Sequence, residues 1–320
     1  MRIRIALPLL ASLFMLVLVS ACSQPGSGTT TGSGSSLTPL QVLQKSETAM
    51  QQLKSAHIDL KSSTSAQVSG MPTATTTATT GATGTPTVGT GASNVTFNIT
   101  GSGDEQLPNA EQLNLSLSQG VKLSEIVQGD NVYIQNTQGK WYVLNKSDLQ
   151  GMAGSTFPGL NVNINQSDLI ALLQHSKITD YGDQTLNGQS LRHISASLDK
   201  TGVQQLLQSN PQLGGNMSSQ QLQALLNNTK SLQSSIDVWI DESQFYMHQT
   251  EIKLNLVANP SATSTTGTPT TGTSTANISV NTDSVVDLSK FNESVTITPP
   301  ANATPTNDPT TIFSGTGIGQ

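Results

Sequence analysis

The chain has 320 residues, of which 34% are hydrophobic, 4% aromatic and only 11% charged, against about 25% charged in an average soluble domain. Its 14 Lys and Arg against 20 Asp and Glu give a net charge of −6, and no basic run exists to hold a nucleic-acid backbone or an anionic lipid surface. A single cysteine excludes an internal disulfide framework and a Cys-rich zinc site.

Met1-Arg2-Ile3-Arg4 supplies two positive charges, and an apolar run from Ile5 to Val19 follows, interrupted only by Pro8 and Ser12. The run is shorter than the roughly 20 residues a spanning helix needs and ends in small residues, as a cleavable export signal does. Val19-Ser20-Ala21-Cys22 resembles the lipobox of bacterial lipoproteins. That resemblance implies cleavage after residue 21, lipidation of Cys22 and a membrane anchor on the extracytoplasmic face. A two- or three-chain anchor is stably held, since each buried methylene contributes about 0.8 kcal/mol. Removing Arg2 and Arg4 with the leader leaves 12 basic against 20 acidic residues, a net of −8.

Residues 22–36 form the lipidated Cys and a Ser/Gly/Thr tether with almost no apolar side chain to order it. A flexible chain of this length reaches ~20 Å. Two Thr/Gly/Pro-rich inserts, 71–92 and 260–276, interrupt strand-patterned segments and are expected to be disordered hairpin loops, as is the tail 298–320. The ordered domain is therefore expected over 37–297.

Within it, Thr38-Pro39 opens a helix with a capping hydroxyl and a proline at the first helical position. Leu40, Leu43, Met50 and Leu53 give that helix an apolar face. At Ala56 to Lys61 the period changes from 3.6 to 2. Alternation then continues through Val95, Phe97 and Ile99, through Leu113, Leu115 and Leu117, and through 121–128, 131–136 and 140–144. Helical patterning returns at Ser167 to Leu173, strands at 177–186 and 190–198 around the hairpin signal Asn187-Gly188, helices at 200–208 and 219–228, and strands at 235–241, 245–258 and 277–289. Apolar-in, polar-out alternation marks an antiparallel sheet buried on one side. About eleven strands with about four helices set among hairpins make an α+β fold, a large curved antiparallel sheet with helices on one face.

Several phrases together resemble bacterial lipoproteins of the LppX and LprG type, which share a half-barrel fold with the carrier LolA and the sensor RseB. They are Cys22 with its lipobox, Ala49 to Leu60, Gly129 to Ile134, Lys140 to Tyr142, Leu186 to Ile194, Val238 to Asp241 and Val286 to Asn292. The resemblance implies a LolA-like sheet wrapped over helices around an apolar cavity for acyl chains, with a lipid or lipidated amphiphile as ligand, a membrane contact through the anchor and a membrane protein as a further partner. The residues expected to line it are Leu60, Val95, Phe97, Ile99, Leu115, Leu117, Leu169, Leu172, Leu173, Val238 and Leu254. The alternative is a close-packed core in a surface interaction or sensor lipoprotein that binds a protein partner instead.

No catalytic apparatus is legible. His57, His175, His193 and His248 lie on separate elements with no i, i+4 pair, no Gly-x-Ser-x-Gly elbow occurs, and Gly315 to Gly319 neither follows a strand nor opens a helix. Asp104-Glu105 and Asp241-Glu242 read as turn carboxylates, and Trp141 and Trp239 as packing residues at strand ends. The chain is therefore expected to be a non-enzyme with no cofactor and no metal.

Overall fold

The computed structural model describes residues 37–73, 89–147, 169–170, 172–173, 176–209, 219–259, 277–308 and 312. The leader, Cys22, the tether and the insert 260–276 lie outside the described residues.

Helix α1 spans Pro39–Gln51 and starts as its sequence dictates: the Thr38 hydroxyl accepts from the Gln41 backbone N–H, and the Gln41 side chain accepts from the Thr38 N–H at 2.9 Å. This reciprocal capping box satisfies two donors that would otherwise be orphaned at the helix start. Val42, Leu43 and Met50 are buried on one side, whereas Leu40 is 41% exposed.

Strands β1 (Ser55–Thr73), β2 (Gly89–Gln106), β3 (Ala110–Leu117), β4 (Lys122–Gln128), β5 (Asn131–Gln135) and β6 (Trp141–Asn145) form a first meander. Residues 169–170 and 172–173 are helical. Strands β7 (Lys177–Leu186) and β8 (Gln189–Ser197) follow, then helices α2 (Lys200–Ser209) and α3 (Ser219–Asn227), then β9 (Thr229–Ile240), β10 (Met247–Ala258) and β11 (Asn277–Ser289). Asn187 and Gly188 both adopt positive φ (51° and 81°) in the β7–β8 turn, the conformation that makes this dipeptide a hairpin signal. The two meanders join where β1 pairs antiparallel with β11, and with the short β12 (Thr304–Pro305) they give one sheet ordered β12-β6-β5-β4-β3-β2-β1-β11-β10-β9-β8-β7. This is the open, predominantly antiparallel α+β architecture expected from the periodicity, with twelve strands instead of about eleven.

Two expected boundaries need correction. The insert over 71–92 is shorter than its composition suggests: Met71, Pro72 and Thr73 pair with Gly91, Thr90 and Gly89, so both strands run into it, and only 74–88 lie outside the described residues. The expectation of disorder over 298–320 also fails in part. Thr304–Pro305 form β12, which pairs parallel with β6, and the Thr306 N–H donates to the Val143 carbonyl at 2.9 Å. Ile297 and Ile312 are buried. Edge pairing uses backbone groups alone, so a Thr/Pro segment can cap β6 without any hydrophobic alternation.

Cross-strand partners share a face of the sheet, so the register places the core directly. One row runs Leu123–Leu115–Gly101–Leu60–Val286–Thr250–Val238–Ile194 across eight strands, and every residue of it except the half-buried Gly101 is buried. The next row runs Leu117–Ile99–Ser62–Ser284–Ile252–Ile236–Ala196. The opposite face is polar, with Gln135, Ser124, Asn114, Ser102, Asp59, Asp287 and Gln249 in register. Burying each Leu, Ile or Val of the core rows contributes about 1.5–3 kcal/mol, which is why a slip of one residue on any strand is prohibitive.

On the β8 flank the core face ends in an ion pair. Arg192 donates to Asp180 through Nε at 2.8 Å and Nη2 at 2.6 Å, and to Glu242 through Nη1 at 3.1 Å. Burial alone would raise the Asp180 carboxyl, but hydrogen bonds from Arg192 and the Gly182 backbone, with the guanidinium charge, outweigh it and hold Asp180 below the usual range.

Candidate functional site

The core-facing rows supply the site. Leu60, Leu115 and Val238 stand in the first row, Ile99 and Leu117 in the second, and Phe97 and Leu254 in a third that runs Phe97–Thr64–Thr282–Leu254. Leu169 and Leu173 reach the same cluster from the helical residues between β6 and β7, and Phe97 and Leu172 pack against it half-buried. Ten of the eleven expected residues are thus brought together, with Val42, Leu43 and Met50 of α1 in the same cluster.

Val95 is the exception. It lies on the core-facing side, opposite Ala66, but is 64% exposed. Alternation assigns a residue to a face correctly, but it does not reveal where along a strand the covering elements stop. Val95 therefore marks one end of the apolar rows, with Phe97 half-buried next to it.

Sequence reading missed two features of this face. The first is a hydroxyl ladder at its centre, where β1 meets β11: Ser62 and Ser284 hydroxyls are 2.6 Å apart, and Thr64 and Thr282 3.3 Å. Ser284, Thr282 and Thr250 are all buried. The second is acidic. Asp104 and Glu105 do face opposite sides of the sheet, but they belong to β2 and not to a turn. Asp104 points outward and bonds His57 Nδ1 at 2.6 Å. Glu105 is buried on the core face directly opposite Glu111. One row inward, Glu125 stands between Leu113 and Ile134, all three buried. Burial, with Glu111 opposite, pushes the Glu105 carboxyl up to about 7. Burial first and Glu111 second push Glu125 well above the usual range, while Lys146 pulls the other way. Glu125 Oε2 has no hydrogen-bond partner among the described residues. The alternating pattern Lys122-Leu123-Ser124-Glu125 carried the signal, because it places Glu125 on the same face as Leu123.

The outer face holds a three-ring stack. The His193 imidazole lies between Tyr181 and Trp239, with centroid separations of 4.6 and 4.3 Å, and its Nε2 is 2.9 Å from Asp237 Oδ1. Trp239 is a packing residue, as its strand position suggested. A groove of about 760 Å³ on this face is lined by Thr100, Ser102, Asn114, Ser116, Lys122 and Gln135 among others. A second, of about 440 Å³, runs beside α1 between Gln41, Lys45 and Phe245. Among the described residues no group of three or more His, Cys, Asp or Glu is placed to hold a metal ion, and no helix is long and apolar enough to cross a membrane.

No protein-family model matches the chain. No curated protein matches it by sequence. Among solved structures it is similar to the lipoprotein LppX of Mycobacterium tuberculosis, with 15% identity and a TM-score of 0.43 over 81% of this chain and 97% of that one. It is also similar to LprF of Mycobacterium bovis, with 16% identity and a TM-score of 0.40 over 82% and 96%. A third is a putative outer membrane lipoprotein-sorting protein domain from Vibrio parahaemolyticus, with 9% identity and a TM-score of 0.24 over 80% and 93%.

Proposed function

We propose that this chain is a lipoprotein, held through Cys22 on the extracytoplasmic face of a membrane, that takes the acyl chains of a lipid or lipidated amphiphile against the core-facing side of its sheet, for carriage or sensing and without catalysis. The observation that carries this reading is the extent of the apolar face relative to the helices that cover it. Among the described residues, twelve strands at ~4.8 Å spacing make a surface ~55 Å wide, whereas α1, α2, α3 and the helical residues 169–170 and 172–173, each helix ~10 Å across, cover ~40 Å. Apolar surface that the chain's own helices do not reach is closed by curling of the sheet or by an apolar ligand, and an interior that is not filled by its own side chains binds apolar guests. The tether would let the body collect from or deliver to the membrane beneath it, with a membrane protein as the other end of the transfer.

The second reading, an interaction or sensor lipoprotein with a closed core, draws on the continuity of the buried cluster from Val42 to Ile312. Titration with a fluorescent fatty acid separates the two. Saturable binding near one per chain, displaced by unlabelled lipid, supports the carrier. Absence of saturable binding supports the interaction module. The anchor is tested independently: Cys22→Ser should abolish incorporation of radioactive fatty acid and release the protein from the membrane.

A further inference from the structure

Within the apolar rows one side chain is out of keeping with its neighbours. Glu125 is 5% exposed, stands between Leu113 and Ile134 on the core face, and has one carboxyl oxygen without a hydrogen-bond partner among the described residues. A buried polar group left unpartnered costs about 1–3 kcal/mol, more if it is charged, and a leucine at this position would avoid that cost. Among the described residues no ion pair explains a carboxylate here. Glu111 lies diagonally from it on β3, in register with Val127, Glu105 stands opposite Glu111 on β2, and the cation acting on it is Lys146, just past the end of β6, an exposed residue.

We infer that Glu125 receives the polar end of the bound amphiphile, and that this end is an uncharged oxygenated group, a hydroxyl or ester, instead of a phosphate or carboxylate. The inference rests on the carrier reading above. Its chemistry follows from the residue's setting. Burial, with Glu111 nearby, pushes this carboxyl well above its usual range and so favours the neutral form, and a neutral carboxylic acid offers one O–H donor and one carbonyl acceptor, the complement of a hydroxyl or an ester oxygen. A ligand hydroxyl or ester bonded to Glu125 would satisfy the orphaned oxygen, or its proton, without adding charge. An anionic head would instead be brought against Glu105 and Glu111, with desolvation to overcome and no buried cation to meet it. The position suits the role: Glu125, Glu105 and Glu111 lie toward one end of the rows and exposed Val95 toward the other. Acyl chains would then lie along the Leu115, Leu60 and Ile99 rows with the polar end at Glu125.

The test uses two lipids with the same chains and different heads, dioctanoylglycerol and dioctanoyl phosphatidic acid, titrated against the full chain in mild detergent. The wild-type protein should bind dioctanoylglycerol at least tenfold more tightly. Glu125→Gln, which keeps a donor and an acceptor, should retain that affinity. Glu125→Leu should lose about tenfold, the worth of one buried hydrogen bond, while melting no lower than wild type, because it removes an unpartnered buried acid. That separation of binding from stability is what a merely structural glutamate would not produce. Equal or tighter binding of phosphatidic acid, or undiminished dioctanoylglycerol binding by Glu125→Leu, would overturn the inference while leaving the carrier reading intact. If neither lipid binds, both fall together.

Discussion

Leu115 of β3 packs over Gly101 of β2 so closely that a methyl group added to the glycine would lie 2.7 Å from Leu115 Cδ2. The contact occurs in the row that also holds Leu60 and Leu123, so this glycine makes room for a core side chain. Two residues on, Gly103 is tighter still and against backbone: an added methyl would overlap the Gln112 carbonyl oxygen. The two positions should therefore respond differently. Gly101→Ala meets the end of a flexible side chain and should cost about 1 kcal/mol, whereas Gly103→Ala must displace backbone and should cost about 3 kcal/mol or more. Urea unfolding of both variants checks this; equal losses would contradict the packing described.

The Arg192–Asp180 pair gives a pH signature. Asp180 titrates below its unfolded value, so its stabilisation is complete above about pH 4, the ordinary aspartate range, and is lost as pH falls through the lower folded value. Asp180→Asn should destabilise the protein by about 1.5–3 kcal/mol at neutral pH, the range for hydrogen bonds to a charged group. Thermal melts from pH 6 to pH 2 should show the gap between variant and wild type closing toward the acid end. A gap independent of pH would show that the carboxylate's charge is not the stabilising element.

Deleting residues 303–320 removes β12 and buried Ile312, and uncovers the edge of β6. The truncated protein should melt several degrees lower, and hydrogen exchange should quicken at the Val143 and Leu144 amides relative to those of β9 and β10. An unchanged melting temperature would return this segment to the status of a dispensable tail.

How much of this was legible in the sequence depends on which interaction governs each element. Where the side chain decides, by burial as for Leu113, Leu115 and Leu117 or by a hydrogen bond as for the Thr38 cap, period and residue type give the element and its face directly. Where the backbone alone pairs, as at Thr304–Pro305, or at Met71 to Thr73 against Gly89 to Gly91, composition suggested disorder and the strand went unread. The site divides the same way. Alternation grouped Ile99 with Leu117 and places Glu125 on the face of Leu123, but the exposure of Val95 and the burial of Glu105 and Glu125 depend on where the elements covering that face begin and end.

The claim that matters most is that the core-facing side of the sheet holds acyl chains, and native mass spectrometry of the full chain, extracted from membranes in mild detergent, tests it most directly. The account predicts a population heavier than the lipidated polypeptide by the mass of about one non-covalent lipid, lost on denaturation and recovered by organic extraction. A single species at the mass of the polypeptide with its covalent anchor, unchanged after incubation with excess dioctanoylglycerol, would contradict it.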